Sequence, residues 1–467
     1  MMTLKIAVRN VFRNRRRSTM TGMTVAVGAV AALLLGALMS YVTLDFQTAT
    51  VRRGGHLTVF RNGYFDFGAG NPSSYGIAGY QDIAKLLQDY PVLKPLLAVV
   101  TPYQVVFGLA GNYRAGVSKT FFGQGVVPAD RVQMRKWNDY NIAHYEDISS
   151  ALPDDPESGL VGIGLARILG LCEDLHLSKC PQLATVQKAL NPEVADLPAQ
   201  DFSGLGEEDK SLQPAAAKHA GPRLDLLAAT ARGAPNVVSL FIDHAEFQGI
   251  KEIDDNYIVM NLSLAQRLLY GSGQSKVTGL SLQLHHSRDL DLARSRINEL
   301  IRSHNLDLEV RDFMELTPLY RQVIAFFGFL FTFFALIIGT IVLFTIANTM
   351  GMSVMERISE IGTMRAVGVQ RREVLGQFLA EGCVLGLIGA SLGVVLAVTI
   401  TVIINRSGLQ WTPPTAADAT DLQLYLFGNP KLLVGVWLLL VLVATIAAIV
   451  PARHAARLQV IDALRHV

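Results

Sequence analysis

Few stretches of this chain have residue types and spacing that could do chemistry. Gly271-Ser272-Gly273-Gln274-Ser275-Lys276 has the look of a phosphate-cradling loop. Such a loop needs G-x-x-x-x-G-K-[ST], so that backbone amides surround the phosphates and a hydroxyl reaches the magnesium. Here the spacing differs and Val277 stands in the hydroxyl position, so the stretch reads as a turn before a strand. Gly162-Ile163-Gly164 lacks the third glycine of a dinucleotide fingerprint. There is no G-x-S-x-G and no H-E-x-x-H. His285 and His286 form a pair without a recognisable set of further ligands. If they lie in a strand they point to opposite faces. No metal site and no catalytic residue is assigned, and the chain is read as no enzyme in its own right. Cys172 and Cys180 are close enough in sequence for a disulfide, a pairing left open here. Cys383 sits in an apolar run as a packing residue.

One stretch is suited to being gripped rather than to reacting. It is Glu356-Arg357-Ile358-Ser359-Glu360-Ile361-Gly362-Thr363-Met364-Arg365-Ala366-Val367-Gly368, caught between two apolar runs. Ile358, Ile361, Met364 (or Arg365) and Gly368 recur at three-to-four spacing, which gives a helix one apolar or small face. Glu356 and Glu360 stand at i, i+4, where like charges repel. They read as carboxylates awaiting an external basic partner. Gly368 can end the helix. Arg371 and Arg372 fall where the next helix leaves a membrane surface.

The elements around that stretch follow from hydropathy. The chain has 467 residues, half of them apolar, and its mean hydropathy is +0.32. That value suits several spans plus a sizeable aqueous domain. A net charge of +2 gives no argument for nucleic acid. Residues 1–17 read as an amphipathic helix. Leu4, Ala7, Val8, Val11 and Phe12 form its stripe, and it either lies in the headgroup plane or simply carries topogenic charges. Residues 18–44 are uncharged and long enough for a first span, which needs about 20 residues. They are too long for the apolar core of a cleaved signal peptide. Further spans are expected at 322–352, 376–405 and 432–452, with Glu381 as a boundary residue of the third. The docking stretch occupies 354–372, a short polar loop 406–431, and a tail 453–467. In the first span Gly22, Gly28 and Gly36, with Ala26 and Ala29, permit close helix packing, read first as dimer packing.

Residues 45–320 contain no span. Strand-like runs fall at 56–60, 96–100, 120–124, 236–242, 277–284 and 306–311, and helical ones at 81–90, 262–269 and 290–304. This is an α+β pattern. Pro, Ala, Asp and Glu dominate about 188–235, which reads as a linker or exposed insertion dividing the domain into two lobes. Basic residues set the orientation. Lys5, Arg9, Arg13 and Arg15-Arg16-Arg17 precede the first span. Arg357, Arg365, Arg371 and Arg372 lie in the docking stretch, and Arg453, Arg457 and Arg465 in the tail. The positive-inside rule puts these in the cytoplasm and the large domain outside. The fold class expected is an α-helical membrane protein with four transmembrane helices. A large α+β extracytoplasmic domain separates helices one and two.

The docking stretch, followed by Glu373 and Phe378-Leu379-Ala380-Glu381-Gly382, resembles the FtsX/MacB/LolC-LolE permeases of ABC transporters, the mechanotransmission type called type VII. In that family E-R-x-x-E-I-G-x-x-R-A-x-G forms the coupling helix. The resemblance extends to Ala7-Val8-Arg9-Asn10, to Leu316 and Tyr320, and to Pro451-Ala452-Arg453 with Ala463-Leu464-Arg465. It implies that Glu356, Arg357, Glu360, Ile361, Gly362, Arg365, Ala366 and Gly368 dock an ATPase subunit. It further implies a multi-pass inner-membrane protein with cytoplasmic termini and a periplasmic domain, paired with a second copy or paralogue. No cofactor is bound by this chain; ATP and Mg belong to the partner. The implied work is extraction or export of a lipoprotein or other amphiphile. An FtsX-like regulator that activates a periplasmic enzyme, such as a cell-wall hydrolase, is the alternative. A membrane-anchored enzyme or sensor is a third reading, which leaves the cytoplasmic helix unexplained.

Overall fold

The computed structural model describes residues 2–13, 15–68, 70, 72–142, 152, 153, 155–177, 221–248, 251–271, 273, 275–411 and 420–458. The chain divides into two compact units. One comprises Met1–Phe46, Leu319–Trp411 and Thr420–Val467; the other is built on Gln47–Pro318.

The first unit is helical. An N-terminal helix (Met2–Arg13) leads to the first-span helix (Arg15–Gly54). The second span is Pro318–Glu356, a short linker helix follows at Ile358–Ala366, and the third span is Arg371–Ser407. The fourth is Pro430–Ala447, continued by Ile449–Arg457. Four of these helices are long and apolar enough to cross a membrane. The first begins inside the basic run and extends past residue 44, because nothing between Leu44 and Gly54 breaks a helix.

The third span is the hub of this unit, and glycine makes it so. A Cβ on Gly382 or Gly386 would lie 2.6 Å from the methyls of Ala448 and Ala444 on the fourth-span side. A Cβ on Gly389 or Gly393 would lie 2.7 Å from the Cβ of Val25 or 2.4 Å from that of Ala29 in the first span. Two small-xxx-small rows on one helix thus bring two neighbours to backbone contact. The first-span residues read as dimer packing are used inside the chain. Gly28 faces Ile338 and Val342, and Gly36 faces Leu432 and Phe331. The second span buries Tyr320 near its start and then the i, i+4 row Val342, Ile346, Met350 and Val354. Phe326, Phe329, Phe333, Leu336 and Phe344 stay exposed, as suits a lipid-facing surface.

Three boundaries have local causes. Gly368 takes φ +100, and Val369 N–H reaches back to the Met364 carbonyl at 3.1 Å, so the linker helix ends in a Schellman-type turn. Gln370 and Glu373 then form a capping box that starts the third span. Asn429 caps the fourth span by accepting from Leu432 N–H at 3.2 Å, with Pro430 in the first turn.

The second unit is α+β. Its strands are β1 (Leu57–Arg61), β2 (Leu97–Asn112), β3 (Val117–Val126), β4 (Ser158–Gly162), β5 (Arg223–Ala229), β6 (Pro235–Glu246), β7 (Tyr257–Asn261), β8 (Gly279–Leu284) and β9 (Leu308–Asp312). They form one mixed sheet in the order β3-β7-β4-β6-β5-β2-β8-β1-β9, and β3 also pairs with β2. The long strand β2 therefore serves two regions. Residues 97–103 pair with β8, while 104–112 pair with β3. Helices Tyr80–Asp89 and Leu290–Ser303 accompany the first region, and Leu262–Tyr270 packs in the core of the second.

The reading of 188–235 as an insertion is corrected at its C-terminal end. Arg223–Ala229 is an interior strand between β2 and β6, burying Leu224, Leu226 and Ala228 by strict alternation. Residues 188–220 lie outside the described residues. The two-lobe division also shifts, since residues 47–318 are one compact unit with a continuous sheet. Gly162 and Gly164 have a structural use. Their loop takes the buried carboxylate of Asp254, which accepts from Ile163 N–H at 3.0 Å and Gly164 N–H at 2.7 Å. Burial pushes the Asp254 carboxyl up, against the pull of those amides.

Candidate functional site

The cytoplasmic ends of the helices meet in an ionic cluster within the first unit. Its centre is Glu381, 4% exposed on the third span. Asn10 Nδ2, from the N-terminal helix, donates to Glu381 Oε1 at 2.6 Å. Arg357 Nη1 donates to both carboxylate oxygens, at 3.0 and 3.3 Å. Arg357 stands at the break between the second span and the linker helix, and its Nε donates to Glu360 at 2.9 Å. Its guanidinium lies 5.5 Å over the ring of the buried Phe378. Arg13 completes the cluster by donating to Glu360 Oε1 at 2.7 Å, and Arg17 pairs with Glu356. A cleft of about 240 Å³ lies among these groups, lined by Asn10, Arg13, Arg17, Glu356, Arg357 and Glu381.

The electrostatics follow from this pairing. Burial works against the charge on Arg357, but the hydrogen bonds and charges of Glu360 and Glu381 outweigh it and raise its pKa. Partial burial opposes ionisation of Glu360, yet the guanidinium groups of Arg357 and Arg13 hold its carboxyl below the usual range. The carboxylates read as awaiting an external partner therefore have internal ones. Glu356 and Glu360 avoid mutual repulsion by pairing with Arg17 and with Arg13 and Arg357 respectively.

The predicted docking residues separate into two groups. Ile361 and Gly362 are buried and hold the linker helix on its own chain, as does Arg357. Arg365 is half-buried, its Nη1 donating to the Val369 carbonyl at 3.4 Å. Glu356, Glu360, Ala366 and Gly368 are exposed. Beside them lies a stripe that the motif did not single out: Met355, Ser359, Thr363 and Val367, the last 82% exposed. Asn10, Arg13, Arg17 and Glu381 were missed as one site. The available signals were an acid inside an apolar run and an asparagine in a basic helix, and only folding shows that they meet. The predicted stripe of the N-terminal helix holds at two described positions and departs at one. Ala7 and Val11 are buried, whereas Val8 is exposed beside Ile6.

The second unit contains a partial likeness to a catalytic triad that fails on geometry. His56 Nε2 lies 3.0 Å from Ser287 Oγ, but Nδ1 accepts from Leu284 N–H at 3.0 Å. No carboxylate orients this imidazole, as a triad requires. Asp139 instead bonds His286 Nδ1 at 2.7 Å and Ser287 N–H at 3.0 Å. Burial, only partly opposed by Asp139, lowers the His56 pKa to about 4. His285 and His286 lie beyond the end of β8, both exposed. Among the described residues no group of three or more His, Cys, Asp or Glu could hold a metal. Cys172 is disulfide-bonded, Cys383 is a free thiol, and Cys180 lies outside the described residues.

Residues 323–460, which hold the linker helix and the last three spans, match the FtsX-like permease C-terminal family. Over that stretch the chain is similar to the FtsX-like permeases of ABC transporters. An uncharacterised ABC transporter permease of Methanocaldococcus jannaschii is 29% identical over 220 residues, covering 45% of this chain and 51% of that protein. The macrolide export ATP-binding/permease protein MacB of Escherichia coli is 29% identical over 197 residues, covering 41% of this chain and 28% of that protein. The chain thus spans about half the length of the archaeal relative it matches, and less of MacB. The periplasmic region of MacB from Actinobacillus actinomycetemcomitans aligns with 58% of this chain and 95% of its own. At 12% identity and a TM-score of 0.27, that likeness is too slight to bear on the fold. In keeping with that similarity and with its four membrane-length apolar helices, this is a multi-pass inner-membrane protein with cytoplasmic termini. Its large periplasmic domain stands between the first and second spans.

Proposed function

We propose that the chain is the membrane subunit of an ABC transporter. It passes the motion of a separate ATPase subunit, which carries the ATP and Mg, to the periplasmic unit. The observation that carries this reading is the division of labour on the linker helix. Arg357, Ile361 and Gly362 face inward, while Ser359, Thr363, Ala366 and Val367, with Met355 at the end of the second span, present small or apolar side chains outward. Apolar residues exposed on a cytoplasmic loop suit the groove of another protein. The docking surface is accordingly this stripe with its rim of Glu356, Glu360 and Gly368. The subunit works as a dimer, with an identical or paralogous partner.

The proposed client is an amphiphile such as a lipoprotein. Supporting that choice is a set of apolar side chains exposed on adjacent strands of the periplasmic sheet: Phe122, Phe107, Leu109, Leu227 and Val237. Phe107 pairs with Phe122, and Leu109 with Leu227, which pairs with Val237. The bridge of Cys172 is assigned to Cys180, on the periplasmic side where disulfides persist.

The test is co-purification of the tagged full chain in nanodiscs with its co-expressed ATPase. Val367→Asp and Thr363→Arg should each lower recovery of the ATPase by about 10-fold or more, the equivalent of about 1.4 kcal/mol. A wild-type chain that purifies alone, or variants that retain the ATPase in full, would refute the docking surface.

A further inference from the structure

We infer that Glu381 is a positioning residue that clamps the N-terminal helix, the linker helix and the third span into one mechanical unit. The inference rests on the docking reading above only for its consequence, that force on the linker helix reaches the N-terminal helix directly. The clamp itself stands on geometry.

A carboxylate 4% exposed near the end of a membrane span is costly unless its oxygens are satisfied. Glu381 meets that cost with two partners from two other helices, Asn10 at 2.6 Å and Arg357 at 3.0 Å. Arg357 is then unable to serve an outside partner. It lies over Phe378, three residues before Glu381 on the same helix, and its Nε is committed to Glu360. Glu360 in turn accepts from Arg13, three residues after Asn10.

The contacts therefore close a circuit. It runs from Asn10 to Glu381, to Arg357, to Glu360, to Arg13, and back along the N-terminal helix. Its members are unequal. The Arg357 and Glu381 side chains are 11% and 5% exposed, against 58% and 44% for Arg13 and Glu360. Solvent weakens the outer pair, so the inner one holds the circuit and the outer one orients it. Ala7 and Val11 bury the same side of the N-terminal helix, and Arg357 is fixed by three contacts. A linker helix pushed by a partner consequently carries the N-terminal helix with it. A helix that merely floated in the headgroup plane would not follow.

The experiment measures that linkage in the full chain in nanodiscs. Nitroxides are placed at Arg9→Cys and Thr363→Cys, both exposed sites, in a Cys383→Ser background. Double electron–electron resonance should give a narrow distance distribution. Asn10→Ala removes only the tie between Glu381 and the N-terminal helix and leaves the Arg357–Glu381 pair; alanine keeps the helix, so the fold survives. It should broaden the distribution, and Asn10→Asp, which sets carboxylate against carboxylate, should broaden it further. Glu381→Gln should broaden it too. In complexes that retain the ATPase, Glu381→Gln should cut the turnover stimulated by the permease by about 5-fold or more. Distributions unchanged in Asn10→Ala and Asn10→Asp would overturn the clamp. A wild-type chain that recruits no ATPase would sink the docking reading, while the distance measurement would still decide the clamp.

Discussion

Glu381 and His56 are both ionisable side chains taken out of water, one in each compact unit, at 4% and 0% exposure. Their surroundings resolve the cost in opposite ways. Glu381 has a guanidinium and a side-chain amide aimed at its oxygens, so it sits in a salt bridge. His56 has a backbone N–H aimed at Nδ1 and a serine hydroxyl at Nε2. The N–H occupies the lone pair that a second proton would need, so the imidazole is held neutral. Burial alone does not say what a titratable group does; the donors and acceptors that face it decide. The first site joins three helices through charge. The second locks the start of the periplasmic sheet without charge.

Three changes would break or sharpen this contrast. The largest effect is expected at Glu381. Glu381→Leu leaves the Arg357 guanidinium without its buried carboxylate, with only the more exposed Glu360 beside it, a loss of up to about 3–5 kcal/mol. The double variant Arg357→Met/Glu381→Leu removes both charges and should recover most of it. Thermal unfolding of the purified chain in detergent decides, and equal melting of the single and double variants would refute the pairing.

The next effect belongs to His56 and depends on pH. Its folded pKa of about 4 lies below the ordinary 6.5, so the unfolded chain binds the extra proton first. The stabilisation is complete above pH 6.5 and is lost as pH falls through 4. The span corresponds to at most about 3 kcal/mol. Unfolding followed from pH 7 to 4 should fall more steeply for wild type than for His56→Gln. Parallel curves would mean that the imidazole is not held neutral.

The smallest effect is at Arg13, whose pair with Glu360 is exposed on both sides. Arg13→Ala should cost under about 1 kcal/mol and still less at high salt. A loss as large as that of Glu381→Leu would mean that the outer pair, rather than the inner one, bears the load.

Much of the helical unit was legible because a membrane imposes one rule on long apolar runs. The spans and the cap at Gly368 follow from local composition. Short β-runs were less legible. β4 is glycine-rich and only five residues long, and β5 lies in a stretch whose Pro, Ala, Asp and Glu content suggested a linker. Strand pairing is non-local, so the alternation of Leu224, Leu226 and Ala228 gains meaning only beside β2 and β6. The motif on the linker helix was recognised, but its inward and outward residues could not be told apart. A 3.6-residue period marks faces without saying which face is covered.

The sequence by itself determined the four apolar helices, their orientation through basic residues, and the cytoplasmic helix between the second and third. These depend on runs of neighbouring residues and on the solvent they must meet. Only the tertiary structure decided that Asn10 and Glu381, 371 positions apart, share a hydrogen bond. It also decided that Glu356 and Glu360 are served by arginines of their own chain. Such contacts join side chains far apart in sequence that meet only once the helices have packed, and no local pattern carries that distance.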